Sequence, residues 1–211
     1  RIALARPQVT ERRPDTLLML SGGIDSAYCL WQRVRAGQYT RTHHVSLADH
    51  EGRRDVEDRA VQQILDWMRR NGGEGLIEHT SSAMDFRDMW IPKNFHAWAY
   101  WAGAIMASPR GQSITTVILP RHSDAFRGGP NSPGARKSDA AYRGHIKLIC
   151  GREPRLSLPM AHLTKAEAVA AMPEDLLRLC WWCRRPRAGQ PCHKCMTCRQ
   201  VDPALAARWR R

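Results

Sequence analysis

The stretch Leu17-Leu18-Met19-Leu20-Ser21-Gly22-Gly23-Ile24-Asp25-Ser26 decides how this chain reads. Four apolar residues lead into a Ser-Gly-Gly turn, and Ala27-Tyr28-Cys29-Leu30-Trp31 follows with helical character. A buried strand, a glycine turn and a helix start, in that order, build an anion site. Glycine lets backbone N–H groups converge on a phosphate, and the helix N-terminus adds partial positive charge. Ser21 and Ser26 add hydroxyl donors. Asp25 is out of place in a phosphate cradle unless it holds Mg²⁺ or shapes the loop. No Gly-Lys-Ser/Thr follows, so this is not the lysine-bearing P-loop.

The 211 residues are 43% hydrophobic and 25% charged, enough for one α/β domain with a real core and a small appendage, and not a disordered chain. No apolar run approaches the roughly 20 residues of a membrane helix. The basic, proline-containing start lacks the apolar centre of a secretion signal, so a cytoplasmic protein is expected. The formal charge of +13 would attract polyanions, nucleic acid included. An arginine-biased composition gives the same number, so charge alone assigns no partner.

Residues 1–15 read as a mobile lead-in. A continuous apolar strand at 16–20 suits a parallel sheet covered on both faces. The helix after the loop runs to about Gly37. A second strand covers 42–48, where His43 and His44 read as strand filler rather than ligands. The loop 49–52 lies at that strand's C-terminal end, where doubly wound sheets bind ligands. A helix at 55–71 stops at Gly72-Gly73, and a short third strand covers 75–79. After Ile91-Pro92-Lys93-Asn94 comes an apolar helix at 95–106, then a fourth strand at 115–119. The polar, Gly/Pro/Arg-rich stretch 121–137 reads as a lid over the substrate. A helix at 138–149 and an extended piece at 156–159 follow. Thr164 and Glu167 form a capping box for a helix through Met172. Strands alternating with helices predict an α/β fold, a doubly wound, Rossmann-like parallel sheet over 16–172, with a C-terminal tail at 173–211.

The tail holds Cys183, then eight residues, Cys192, two residues, Cys195, two residues and Cys198. Four thiolates at this spacing suit a closed, structural tetrahedral Zn²⁺ that staples a tail too short to bury its own core. An iron–sulfur cluster also accepts four cysteines. Cys180, one turn before Cys183, is a poor ligand, and His193 is a possible substitute in a shell the cysteines already close.

Ser21-Gly22-Gly23-Ile24-Asp25-Ser26 resembles the PP-loop of the ATP pyrophosphatase superfamily, whose pattern is SGGxDS. Together with the cysteine spacing it resembles the 7-cyano-7-deazaguanine synthases of queuosine and deazapurine biosynthesis. Ile91-Pro92-Lys93-Asn94 is similar to that family's Val-Pro-x-Arg-Asn, which lines the nucleotide and substrate pocket. Leu158-Pro159 with Thr164-Lys165-Ala166-Glu167, Trp182-Cys183 and Pro191-Cys192 match further landmarks in order, so the resemblance spans 16–201. It implies an adenine nucleotide alpha hydrolase-like fold, ATP and Mg²⁺ as well as Zn²⁺, a homodimer, and conversion of 7-carboxy-7-deazaguanine and ammonia to the nitrile. It implies that Leu20, Ser21, Gly22, Gly23, Ile24, Asp25, Ser26, Asn94 and Asp124 bind the nucleotide, with Asp25, Ser26, Lys93 and Lys165 catalytic. Both lysines are candidates to neutralise phosphate charge, and each has a plain surface role as its alternative.

The departures are specific. Lys93 stands where the family has Arg, and His193 where it has Gly. Of the substrate-facing Gly-x-Asn-x-x-Asp, the stretch 119–124 keeps Asp124 alone, and the family's Tyr-Gly-Gln is missing at Asp49-His50-Glu51. These leave open another carboxylate as substrate, or an amide as product. Two further readings are a PP-loop tRNA-modifying enzyme and a non-catalytic, zinc-stapled nucleotide or nucleic-acid binder. No C-x-x-C remains outside the metal set, which counts against the former, and the intact loop counts against the latter.

Overall fold

A computed structural model describes residues 13–87, 89 and 94–210. Lys93, with Ile91 and Pro92 before it, lies outside the described residues, as does most of the expected lead-in. The elements run β1 (Thr16–Met19), α1 (Ile24–Arg35), β2 (Thr40–Ala48), α2 (Arg54–Met68), β3 (Ile77–Asp85), α3 (Phe95–Ala107), β4 (Thr116–Ile118), α4 (Pro133–Cys150), β5 (Arg155–Ser157), α5 (Lys165–Ala171), α6 (Glu174–Leu179) and α7 (Met196–Trp209). The five strands form one sheet in the order β3-β2-β1-β4-β5, every pair parallel. This is the doubly wound α/β sheet the strand–helix alternation predicts, with β1 at its centre.

All four residues of β1 are buried. Successive strand side chains point to opposite faces. Leu18 and Leu20 enter the core under α1, α2, α5, α6 and α7, through residues such as Leu30, Ile64, Val169, Leu176 and Val201. Leu17 and Met19 enter the other core, under α3 and α4, with Ala102, Met106 and Ile146. Each fully buried leucine contributes roughly 1.5–3 kcal/mol. The tail therefore shares the sheet's own core. Arg208 of α7 ties it down, donating to the carbonyls of Val169 at 2.7 Å and Met172 at 2.5 Å at the end of α5. Trp67 Nε1 of α2 donates to Asp175 Oδ2 of α6 at 2.6 Å.

Three expectations change. β3 runs nine residues to Asp85 rather than ending at 79, in register with β2 along its whole length. Its outer residues are half-exposed and polar, so the apolar signal fades while the pairing continues. The stretch 121–137 is not one loose lid. Ser132 accepts from Ala135 N, and Pro133 opens α4 five residues earlier than expected. Arg121 is clamped on Asp139 of α4 through two bonds, 2.5 and 2.7 Å. The capping box at Thr164 and Glu167 is present as read. No helix among the described residues is long and apolar enough to cross a membrane.

Gly22 and Gly37 both adopt positive φ, +77° and +63°, but only Gly22 is crowded. A Cβ there would lie 2.9 Å from the Glu57 carbonyl of α2 and 3.2 Å from the Ala60 Cβ, whereas nothing lies within 4 Å at Gly37. Gly37→Ala is expected to cost about 1 kcal/mol of stability in urea unfolding and Gly22→Ala more than about 3 kcal/mol. Equal costs would show that the turn does not pack on α2 as described.

Candidate functional site: the loop at the centre of the sheet

β1 ends where the strand order reverses, and ligands of open α/β sheets bind outside the strands' C-terminal ends at that point. Ser21 to Ser26 occupy it. The loop holds its own shape through Ser26, whose Oγ accepts from Ser21 N at 3.2 Å and donates to Gly23 O at 3.1 Å. The buried Ser26 hydroxyl thus builds the cradle, while Ser21, Gly23, Ile24 and Asp25 line a cavity of about 540 Å³. The first N–H groups of α1, which have no partner inside the helix, lie at this cavity.

Neighbouring segments grip the loop from three sides. Leu20 N donates to His43 O at 2.8 Å, and His44 Nδ1 donates to Leu20 O at 2.9 Å. His44 is therefore more than strand filler: it fixes the carbonyl entering the turn, with its other nitrogen on Asp58 at 2.7 Å. His43 points elsewhere, to Thr80 Oγ1 at 2.8 Å, and burial holds its pKa down at about 4. Trp181 N, from the tail, donates to Gly22 O at 2.9 Å.

Lys165, read from the sequence as a phosphate-neutralising candidate, is buried with its Nζ 2.5 Å from Asp25 Oδ1. The structure brings together these two residues, 140 positions apart, at the mouth of the loop. Asp124 belongs to the same cluster, accepting from Lys165 N at 3.0 Å. The sequence reading missed His122. Its Nδ1 sits 2.5 Å from Asp124 Oδ1 and its Nε2 faces Asp25 Oδ2 at 4.0 Å. Its signal was the spacing of two from Asp124, inside a stretch read as a lid. Asn94, at the start of α3, is buried on the cavity wall, and its Nδ2 has no hydrogen-bond partner among the described residues.

Arg53 and Glu57 of the same cavity also went unread. Arg53 is buried among Glu57 at 2.9 Å, Glu51 at 3.0 Å and Asp49 at 3.6 Å. The cavity is thus lined by cations on both sides of the loop, Lys165 on one and Arg53 and Arg184 on the other. One carboxylate at the mouth, Asp25, is partly exposed, with Oδ2 outside the Lys165 bond. That suits Mg²⁺, which takes one or two carboxylates and completes its shell with phosphate and water.

The four tail cysteines converge, every Sγ within 4.8 Å of the others. Cys192 N donates to Cys183 Sγ at 3.1 Å, Cys195 N to Cys192 Sγ at 3.3 Å and Cys198 N to Cys195 Sγ at 3.5 Å. The Lys194 backbone N–H leads the contacts that bring the Cys192 thiol down to about 6. Tetrahedral Zn–S bonds of about 2.3 Å put sulfurs about 3.8 Å apart. A four-iron cluster binds each thiolate on a different iron and needs them spread wider. His193 stays outside the shell: its Nδ1 is 2.8 Å from Asp202 Oδ2, which anchors its left-handed φ of 56°. Cys180 is buried and bonded to Leu176 O at 3.4 Å, also outside. Burial pushes the Cys180 and Cys29 thiols up, so neither is a poised nucleophile.

No protein-family model matches the chain, and no curated protein matches it in sequence. Among solved structures, NMN synthetase from Francisella tularensis aligns over 93% of this chain and 78% of its own, at 16% identity and a TM-score of 0.49. A U34-tRNA thiolase from Methanococcus maripaludis, solved with its 4Fe–4S cluster, aligns over 92% of this chain and 65% of its own, at 12% identity and a TM-score of 0.46.

Burial raises the Glu57 carboxyl from its ordinary 4.5 to about 7, with Arg53 opposing. The folded state then holds this proton more tightly than the unfolded chain. The stability it adds is full below pH 4.5 and is lost as pH rises through about 7. Glu57→Gln is expected to flatten the fall in urea midpoint between about pH 5 and pH 8. An unchanged fall would mean that Glu57 ionises in the folded state as it does in water.

Proposed function

We propose that the chain is an ATP-dependent enzyme of the PP-loop kind that activates a carboxylate and transfers it to ammonia. The substrate that the family resemblance implies is 7-carboxy-7-deazaguanine and the product 7-cyano-7-deazaguanine. The observation that carries the reading is the loop itself. An intact Ser-Gly-Gly-Ile-Asp-Ser turn lies at the sheet's switch point, its residues on a cavity flanked by Lys165, Arg53 and Arg184.

A carboxylate is a poor electrophile because its oxygen leaves badly. In this reading its oxygen attacks the α-phosphorus of ATP, the α–β phosphoanhydride bond breaks, and pyrophosphate leaves. Ammonia then attacks the acyl carbon and AMP departs with the carboxylate oxygen, leaving an amide. A second ATP activates the amide oxygen, and loss of AMP and a proton gives the nitrile. The chain's part is electrostatic. The Gly23 to Asp25 N–H groups at the start of α1 face the phosphates, and Arg53 and Lys165 offset the charge that develops on departing pyrophosphate. Lys165, held on Asp25, keeps that carboxylate from repelling the nucleotide.

One observation favours a related ligase acting on another carboxylate. The segment after β4 puts Arg121 over the Phe126 ring at 5.0 Å, and Phe126 on the cavity wall. The family's substrate-facing residues other than Asp124 are absent there.

The decisive assay supplies ATP, Mg²⁺, ammonium and 7-carboxy-7-deazaguanine and reads products by mass spectrometry. Nitrile is expected, with Asp25→Ala reducing turnover by at least about 100-fold. Amide as the end product would place the enzyme as an amide synthetase. No product, with ATP bound, would reject this substrate. The Cys183, Cys192, Cys195 and Cys198 site is proposed to hold Zn²⁺ as a structural staple. Metal analysis should find about one zinc per chain, and Cys195→Ser or chelation should lower the unfolding temperature. Iron in its place would overturn the zinc assignment.

A further inference from the structure

Away from the loop and the cysteine turn, two imidazoles meet between α3 and α4. His96 stands on the first turn of α3, half-buried, and His145 on α4 is exposed. His96 Nδ1 lies 3.4 Å from His145 Nε2, and the ring centres are 5.1 Å apart. The tautomer of His145 is fixed. Its Nδ1 lies 2.8 Å from the Ala141 carbonyl, which only accepts. In the neutral ring Nδ1 therefore carries the proton, and Nε2 presents its lone pair to His96. Metal-bound histidines are oriented in this way, with the second ring nitrogen donating to a carbonyl or carboxylate. Phe95 packs on both rings, its centre 4.0 Å from that of His96 and 6.3 Å from that of His145.

Two arrangements join such nitrogens, and their distances differ. In a hydrogen bond from His96 Nδ1 the donor points at the acceptor, and good N–H bonds close to within about 3.2 Å. Rings lined up nitrogen to nitrogen at the observed 3.4 Å would have their centres about 5.7 Å apart. Around a tetrahedral ion, Zn–N bonds of about 2.0–2.1 Å put two nitrogens about 3.3–3.4 Å apart and the ring centres about 5.2 Å apart. The observed 3.4 and 5.1 Å match the second arrangement in both distances. The nearby cations do not oppose it. Arg143 and Lys147 stand two positions either side of His145 on α4, a spacing that faces away, and each pairs with Glu153 at 3.6 Å.

We propose that His96 and His145 bind a divalent transition-metal ion of the kind imidazole favours, with Zn²⁺ the ion whose geometry fits, and that this ion bridges α3 to α4. Two protein ligands leave the other positions to water, so the ion exchanges readily, unlike one enclosed by four cysteines. The site shares no residue with the cysteine turn and does not depend on the nucleotide reading. Its place gives it a reach into the loop cavity, because Phe95, which packs on both imidazoles, also lines that cavity.

The experiment uses the full chain, its cysteine turn saturated with metal and the excess removed by desalting. Zn²⁺ alone is then titrated near neutral pH by calorimetry. One further ion per chain is expected. His96→Ala and His145→Ala should each weaken it about tenfold or more. His162→Ala, which removes an exposed histidine elsewhere, should change it by less than about twofold. Added Zn²⁺ should raise the unfolding temperature of the unaltered chain, and the rise should vanish in both variants. Unfolding without added Zn²⁺ checks that the variants are folded. Nitrogen-15 NMR of the histidines should move the His96 Nδ1 and His145 Nε2 resonances together. Iron in the cysteine turn would leave this test unchanged. The proposal is overturned if no further ion binds, if either alanine variant binds it as tightly as the unaltered chain, or if His162→Ala weakens it equally.

Discussion

Everything at the site depends on the close approach of Gly22 to α2. With φ at +77° and the Glu57 carbonyl oxygen 2.9 Å from where a Cβ would stand, a side chain fits the turn only if α2 shifts. That contact sets where β1 releases the chain and where α1 begins. It also turns the Gly22 carbonyl toward the tail, where Trp181 N–H takes it at 2.9 Å. One glycine thus links the central strand, the second helix and the C-terminal segment.

The tail follows from the same constraint. Residues past 172 cannot form a core of their own, so α6 and α7 bury Leu176, Leu177, Val201 and Leu205 against the sheet's helices. The cysteine turn sits between these two helices, and Trp181 and Trp182 before it line the cavity wall, with Trp182 Nε1 on Asp202 at 3.1 Å. Disorder in the cysteine turn would reach the loop cavity through the backbone, with no cysteine touching that cavity's wall.

Local signals were legible in the sequence because their physics is local. The apolar run of β1, the Ser-Gly-Gly turn, the Thr164–Glu167 box and the cysteine spacing each act within a few residues. The hidden features join distant positions. Nothing near Lys165 marks Asp25 as its partner, and nothing near His122 marks the same carboxylate. His44 looked like filler because its acceptor is the Leu20 carbonyl, a group that carries no side-chain signal. The start of α4 was hidden for another reason. Ser132-Pro133 is a good cap, but the glycines and arginines before it dominate the window. β3 outran its apolar signal because an edge strand needs one buried neighbour and keeps a polar outer row.

The central claim is that the loop directs chemistry at the α-phosphorus of ATP. The most direct test is phosphorus NMR of the nucleotide products formed with Mg²⁺, ammonium and the acceptor that supports turnover. AMP and pyrophosphate in equal amounts are the result this account predicts. ADP and inorganic phosphate would place the attack at the γ-phosphorus and contradict it.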